Sequence, residues 1–202
     1  IYKLRITDTS NVTRVVEGES SDEHESFHYF RTGLDLSKEG LLAFVTQKGS
    51  SDALYIYDTK SEKPVSNFSF KEITGIGAPA WSKDSRYIAF SGMEFSGKAD
   101  LYIFDVLNEK LSRLTNDYYD DTDPCFSPDG KYLAFSSDRT SNPIKNIYNI
   151  FFYDLTSNKI TQITNSEAEL TSPHFNEDGR LIFSSDLGGT QNIWIIDSVF
   201  SS

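Results

Sequence analysis

The stretch "DTDPCFSPDGKYLAFSSDR" (121–139) gathers acidic side chains, serines, an arginine and the one cysteine of the chain. Taken alone, it has the residue types of a reactive centre. Its reading changes once the chain is laid against itself. Ser127-Pro128-Asp129-Gly130 lines up with Ser37-Lys38-Glu39-Gly40, Ser82-Lys83-Asp84-Ser85 and Asn176-Glu177-Asp178-Gly179, whose last residues are separated by 45, 45 and 49 positions. An apolar residue precedes each turn (Leu36, Trp81, Phe126, Phe175), and a strand-like run follows: "LLAFVT", "RYIAFSG", "KYLAFSSD", "RLIFSSD". A variable loop leads to a second run ending in aspartate: "ALYIYD", "DLYIFD", "NIFFYD", "NIWIID". A polar turn and a last short run, such as "LSRLT" or "ITQIT", close the unit.

Each unit therefore holds four short strands, and helical periodicity is nowhere sustained. Four strands in a period of roughly 40–50 residues is the pattern of a β-propeller blade. One blade cannot cover both of its faces, so blades stack on one another. The expected fold is all-β: a propeller of four-stranded antiparallel blades, about four of them in this chain. The turn chemistry agrees. Ser or Asn accepts from its own turn, Pro or Lys suits the second place, Asp the third, and Gly supplies positive φ at the end. Ser85 replaces that glycine, at a cost of about 1 kcal/mol if it is left-handed. Asp129 is thereby assigned to the turn.

The expected boundaries are a single propeller domain or segment over 1–202, with a partial blade over 1–20 and blades over about 27–70, 73–115, 120–164 and 170–197. In the partial blade "IYKLRITD" reads as a third strand and "VTRVVEG" as a fourth, and the last blade has three strands, 17 in all. This surplus does not suit simple closure as a four-bladed ring. It suits an arc of a larger ring, or a ring completed with a partner. The chain begins inside a structural unit, so a fragment or mature piece of a longer protein is expected.

Composition narrows the function. A net charge of -11 argues against binding a nucleic-acid backbone or an anionic membrane. One cysteine excludes an internal disulfide framework and a cysteine-based zinc site. No apolar run approaches the ~18–20 residues of a membrane span. A serine hydrolase would need Gly-x-Ser-x-Gly on a strand-turn-helix, and "SGMEFSG" (91–97) has those letters at the wrong spacing. His24 and His28 sit in the polar loop "DEHESFH" (22–28), and His174 lies on a first strand where it lines or packs on the channel. Cys125 reads as a small buried residue with acidic neighbours that disfavour a thiolate. Trp81 and Trp194 read as inter-blade packing. No catalytic residue, metal-ligand set or cofactor is assigned.

What remains is the loop "NDYYDDTDP" (116–124), which joins one blade to the next on the rim also reached by "SSDRTSNPIKN" (136–146). Tyr118, Tyr119, Asp120, Asp121 and Asp123 should share a face with Asp138 and Arg139. Glu94, Glu167, Glu169 and Asp186 hold equivalent places in other blades. Such loops serve solubility and capping, and Asp138 with Arg139 reads as an intra-blade pair. Converging carboxylates can also attract a basic partner segment, with tyrosine supplying contact area. Ca²⁺, which prefers oxygen ligands, is the alternative occupant.

The segment "RLTNDYYDDTDPCFSPDGKYLAFSSDR" (113–139) strongly resembles the repeat of TolB-type propellers, also called PD40 or WD40-like repeats. The shared pattern is a Leu-Thr pair, an acidic loop, Pro, an aromatic, Ser-Pro-Asp-Gly, an apolar strand and Ser-Asp-Arg. "GAPAWSKDSRYIAFSG" (77–92) and "TSPHFNEDGRLIFSSD" (171–186) are weaker copies. The resemblance implies a non-catalytic propeller that binds a protein, a peptide or another domain of its own polypeptide, in the periplasm or at the cell surface of a bacterium. It implies, as an alternative, an accessory propeller gating a prolyl oligopeptidase- or tricorn-like hydrolase whose catalytic domain lies outside this chain. Self-association through open propeller edges is a further expectation.

Overall fold

Short apolar runs broken by Ser/Asn-x-Asp-Gly turns become antiparallel strands, and the turn residues behave as their chemistry requires. In the computed structural model, which describes residues 1–5, 8–15, 33–95, 97–139 and 147–197, Ser127 Oγ donates to Asp129 Oδ1 at 2.6 Å and accepts from the Tyr132 N–H at 3.0 Å. Ser82 repeats both bonds with Asp84 and Tyr87. The residues closing the turns, Gly40, Ser85, Gly130 and Gly179, all have positive φ, between 57° and 86°. Ser85 thus carries the backbone strain expected of it.

Among the described residues there are seventeen strands and no helix. The first sheet is a hairpin of β1 (Tyr2–Arg5) and β2 (Asp8–Arg14). Arg5 pairs with Asp8, so β2 begins earlier than the expected "VTRVVEG", in a segment whose Thr9, Val12 and Thr13 favour the pleated backbone. Next come three four-stranded sheets: β3 (Leu34–Leu36), β4 (Leu41–Lys48), β5 (Ser51–Asp58) and β6 (Lys63–Phe68); β7 (Gly75–Trp81), β8 (Tyr87–Met93), β9 (Ala99–Asp105) and β10 (Lys110–Arg113); β11 (Asp121–Phe126), β12 (Tyr132–Ser137), β13 (Asn149–Asp154) and β14 (Ile160–Gln162). The last sheet has β15 (Leu170–Phe175), β16 (Leu181–Ser185) and β17 (Asn192–Ile196). Each sheet is a meander in chain order.

The middle strands are apolar on both faces because both faces are covered. In the β11–β14 sheet, Leu133, Phe135, Phe151 and Tyr153 pack on Ala89 and Leu101 of the preceding sheet. The opposite face, with Ala134, Ile150 and Phe152, packs on Leu170, Phe175, Leu181 and Phe183 of the following one. The β3–β6 and β7–β10 sheets meet through Ala43, Val45, Leu54 and Ile56 against Ile88, Phe90, Tyr102 and Phe104. Ile1 and Val15 beside the hairpin cover Leu42, Phe44 and Tyr55.

Among the described residues no contact joins the last sheet to the first hairpin, so the sheets form an open arc. Ile193 on β17, equivalent in the repeat to the fully buried Ile150, is 78% exposed. Trp81 is buried as the sequence suggests, but Trp194 is 37% exposed because β17 is the outer strand of its described sheet.

The first strands β3, β7, β11 and β15 lie side by side along the inside of the arc. Three of them carry the same irregularity. Register shifts between Gly77 and Ala80, Thr122 and Cys125, and Thr171 and His174, with Ala78, Asp123 and Ser172 at φ of 43°, 53° and 54°. A proline follows each left-handed residue (Pro79, Pro124, Pro173), at a bulge where a missing N–H costs no ladder bond.

Candidate functional site

The inner strands enclose a cavity of about 1330 Å³, lined by Asp35, Asp52, Asp120, Asp123, Trp81 and His174 among others. Its carboxylates also hold the sheets together. Asp35 Oδ2 accepts from the Trp81 N–H at 2.7 Å, and Asp52 Oδ2 from the Ile76 N–H at 2.9 Å. The bulge turns Asp123 towards the next sheet, where it accepts from the Ser172 N–H at 3.2 Å. Burial raises the Asp123 carboxyl above the ordinary carboxylate range, and Asp120 adds to this.

Cys125 stands two residues before its turn, as Asp35 does, and makes the matching bond: its Sγ accepts from the Phe175 N–H at 3.3 Å. Burial pushes the thiol up to about 11, and Asp35 pushes the same way. His174 Nδ1 lies 4.0 Å from Sγ, so a Cys/His pair exists, but a thiol titrating that high is not an ionised nucleophile near neutral pH. His174 itself is exposed on the cavity wall. His24, His28 and positions 140–146 of the second rim loop lie outside the described residues.

At the other end of the inner strands, between the second and third four-stranded sheets, the acidic loop closes into one network. The Asp120 N–H donates to Asp138 Oδ1 at 2.8 Å, and Lys98 pairs with Asp138 Oδ2 at 3.1 Å. Asp120 accepts from the Ala99 N–H at 2.8 Å and from the Tyr148 hydroxyl. Burial raises the Tyr148 phenol, and Asp120, Asp138 and Glu169 raise it further. Arg139 bridges Asp117, at 3.0 Å, and Asp121, and its guanidinium lies 5.1 Å from the Tyr119 ring centre. Ser137 donates to Asp121 at 2.6 Å. Arg113 binds Asp100 at 2.5 Å and Glu94 at 2.9 Å, and Tyr102 also donates to Glu94.

The predicted residues thus divide by role. Asp121 is fully buried, and its pairing with Arg139 leaves it to hold the rim from within. Asp138 and Arg139 do not pair with each other; each reaches a different partner. Asp123 faces the cavity rather than the rim loop. Tyr118 is 93% exposed and Tyr119 is exposed above Arg139. Glu167, Glu169 and Asp186 are exposed on the last sheet, where the Glu169 N–H donates to Asp186 at 2.8 Å, the counterpart of the bond from Asp120 to Asp138. Sequence reasoning missed Phe95, 92% exposed in the loop between β8 and β9, and the network partners Lys98, Asp100, Arg113 and Tyr148. Spacing gives no signal for partners 13 to 40 residues apart.

Comparison with known proteins agrees with the architecture. The family described as "PD40: TolB beta propeller domain" matches residues 35–149. "Tol-Pal system protein TolB" of Francisella tularensis subsp. mediasiatica (strain FSC147) is 36% identical over 73 residues, 36% of this chain and 17% of that protein. The crystal structure of TolB from Acinetobacter baumannii superimposes with a TM-score of 0.70 at 21% identity, covering 94% of this chain and 44% of that one. The tricorn protease gives 0.57 at 18% identity, over 75% of this chain and 15% of that one. The chain therefore spans less than half the length of these proteins, and at such identities the two structures share its fold.

Proposed function

The chain belongs to the TolB β-propeller family, and from that premise we propose that it is a non-catalytic propeller that binds a protein partner in the bacterial cell envelope, on the periplasmic or cell-surface side. One observation carries the reading. Phe95 and Tyr118 are almost fully exposed and Tyr119 is exposed, on loops anchored by the Arg139–Asp121 and Arg113–Asp100 pairs. Exposed aromatic side chains on a fixed support give contact area at low ordering cost, which is what protein interfaces use. Glu94 and Asp117 directly precede Phe95 and Tyr118 in the chain, so the fitting partner presents a basic segment.

The test is binding of the Tol-Pal components of the host to the chain and to the double variant Phe95→Ala/Tyr118→Ala. A loss of at least about tenfold in affinity, with unfolding unchanged, is expected; an unchanged affinity removes this surface from the function. The second reading, gating of a hydrolase, draws support from the likeness to tricorn protease. A catalytic domain in the same polypeptide would favour it.

A further inference from the structure

Beneath the exposed tyrosines, carboxylate oxygens of Asp100, Asp117 and Asp121 lie within 4.8 Å of one another. They come from three different places: β9, the connector before β11, and the start of β11. The two arginines do not complete the group. Arg113 spans Asp100 Oδ2 and Glu94, and Arg139 spans Asp117 and Asp121. Four carboxylates face two guanidinium groups, which leaves an excess of two negative charges. Asp100 is 3% exposed, and its second oxygen, Oδ1, is buried with no hydrogen-bond partner. A buried, unpartnered carboxylate oxygen is costly and calls for a cation or a bound water.

We propose that Asp100, Asp117 and Asp121 form a Ca²⁺ site at the junction of the second and third four-stranded sheets. The three side chains offer oxygen donors and neither nitrogen nor sulfur, as a hard cation requires. Ca²⁺ fits better than Mg²⁺, because an irregular set drawn from two sheets and a connector does not supply the strict octahedron that Mg²⁺ demands. Asp117, the exposed member, is the side of entry, and its other oxygen already accepts from the Tyr119 N–H at 3.0 Å. Bound metal would tie the tyrosine loop to both sheets at once. This site is separate from the cavity carboxylates Asp35, Asp52 and Asp123.

Calorimetry with CaCl2 on the chain, thermal unfolding in CaCl2 against MgCl2 and EDTA, and Tb³⁺ luminescence excited through tyrosine test the site. The expected result is one Ca²⁺ per chain and a rise in Tm with Ca²⁺ that equal Mg²⁺ does not reproduce. Asp117→Asn should weaken binding at least about tenfold, whereas Asp123→Asn should leave it unchanged. Tyr102 and Tyr119, whose rings lie 5.8 and 5.1 Å from the two guanidinium groups, should sensitise Tb³⁺, so Tyr102→Phe and Tyr119→Phe should dim it. Absence of heat and of any Tm change at millimolar Ca²⁺ would overturn the proposal and leave the Asp100 oxygen to water. Binding that survives Asp117→Asn but not Asp123→Asn would overturn it too, by moving the metal to the cavity.

Discussion

The two ends of β11 and β12 are built from the same residue types and do opposite things. At the turn end, Ser127, Asp129 and Tyr132 satisfy one another within five residues of chain, and the bonds that leave the hairpin are made by backbone carbonyls: Pro128 accepts from Lys83 and Lys131 from the Leu155 N–H. At the rim end, Asp120, Asp121, Asp138 and Arg139 each reach side-chain or backbone groups 16 to 40 residues away, several of them on the neighbouring sheet. The turn end shapes a strand pair, whereas the rim end joins sheets. A Ser-Asp pair is therefore not informative by itself; what matters is whether its partners are local.

The sharpest way to break the comparison is to remove Arg139. Arg139→Ala leaves Asp121, which is 0% exposed, as a buried charge without its cation, and should cost about 3–5 kcal/mol in urea unfolding. Ser127→Ala attacks the turn end. It removes one acceptor and one donor from a single hairpin, and about 1–2 kcal/mol is expected by the same measurement. If the two losses were equal, the division between local and joining ends would fail. Ser85→Gly should act in the opposite direction, raising stability by up to about 1 kcal/mol, because Ser85 sits at φ 57° where the other turns have glycine.

The smallest effect concerns pH. Asp123 titrates above its unfolded value of about 3.9, so the folded protein holds the proton more tightly. Its contribution is most favourable below about pH 3.9 and declines as pH rises through the raised value. Asp123→Asn keeps an oxygen for the Ser172 N–H and tolerates the left-handed backbone, so it should flatten that part of the stability-versus-pH curve. A curve identical to that of the parent would show that Asp123 does not titrate in this window.

How much was legible follows from the same division. The turns at Gly40, Ser85, Gly130 and Gly179 and the strand runs between them could be read because a repeat shows itself in local order. The role of Asp129 was legible for that reason. The burial of Asp121 was not, since it depends on Arg139 folding back over it and on the sheet beside it. The bond from Phe175 to Cys125 spans 50 residues and that from Trp81 to Asp35 spans 46. Their kinship is visible only when both are measured from the following turn, and the change from carboxylate to thiol hides it. Phe95 gave no periodic signal, because an exposed loop position follows no strand alternation.

The bond from Phe175 to Cys125 also makes the molecule its own instrument. The only cysteine is held shut across the junction between the last two sheets, and its thiol, pushed up to about 11, is almost wholly protonated at neutral pH. A bulky thiol reagent can then react only in the moments when that junction parts. The labelling rate, divided by that of an unfolded reference, measures how often the sheets separate without unfolding the rest. One side chain thus reports the breathing of an arc whose other junctions stay silent.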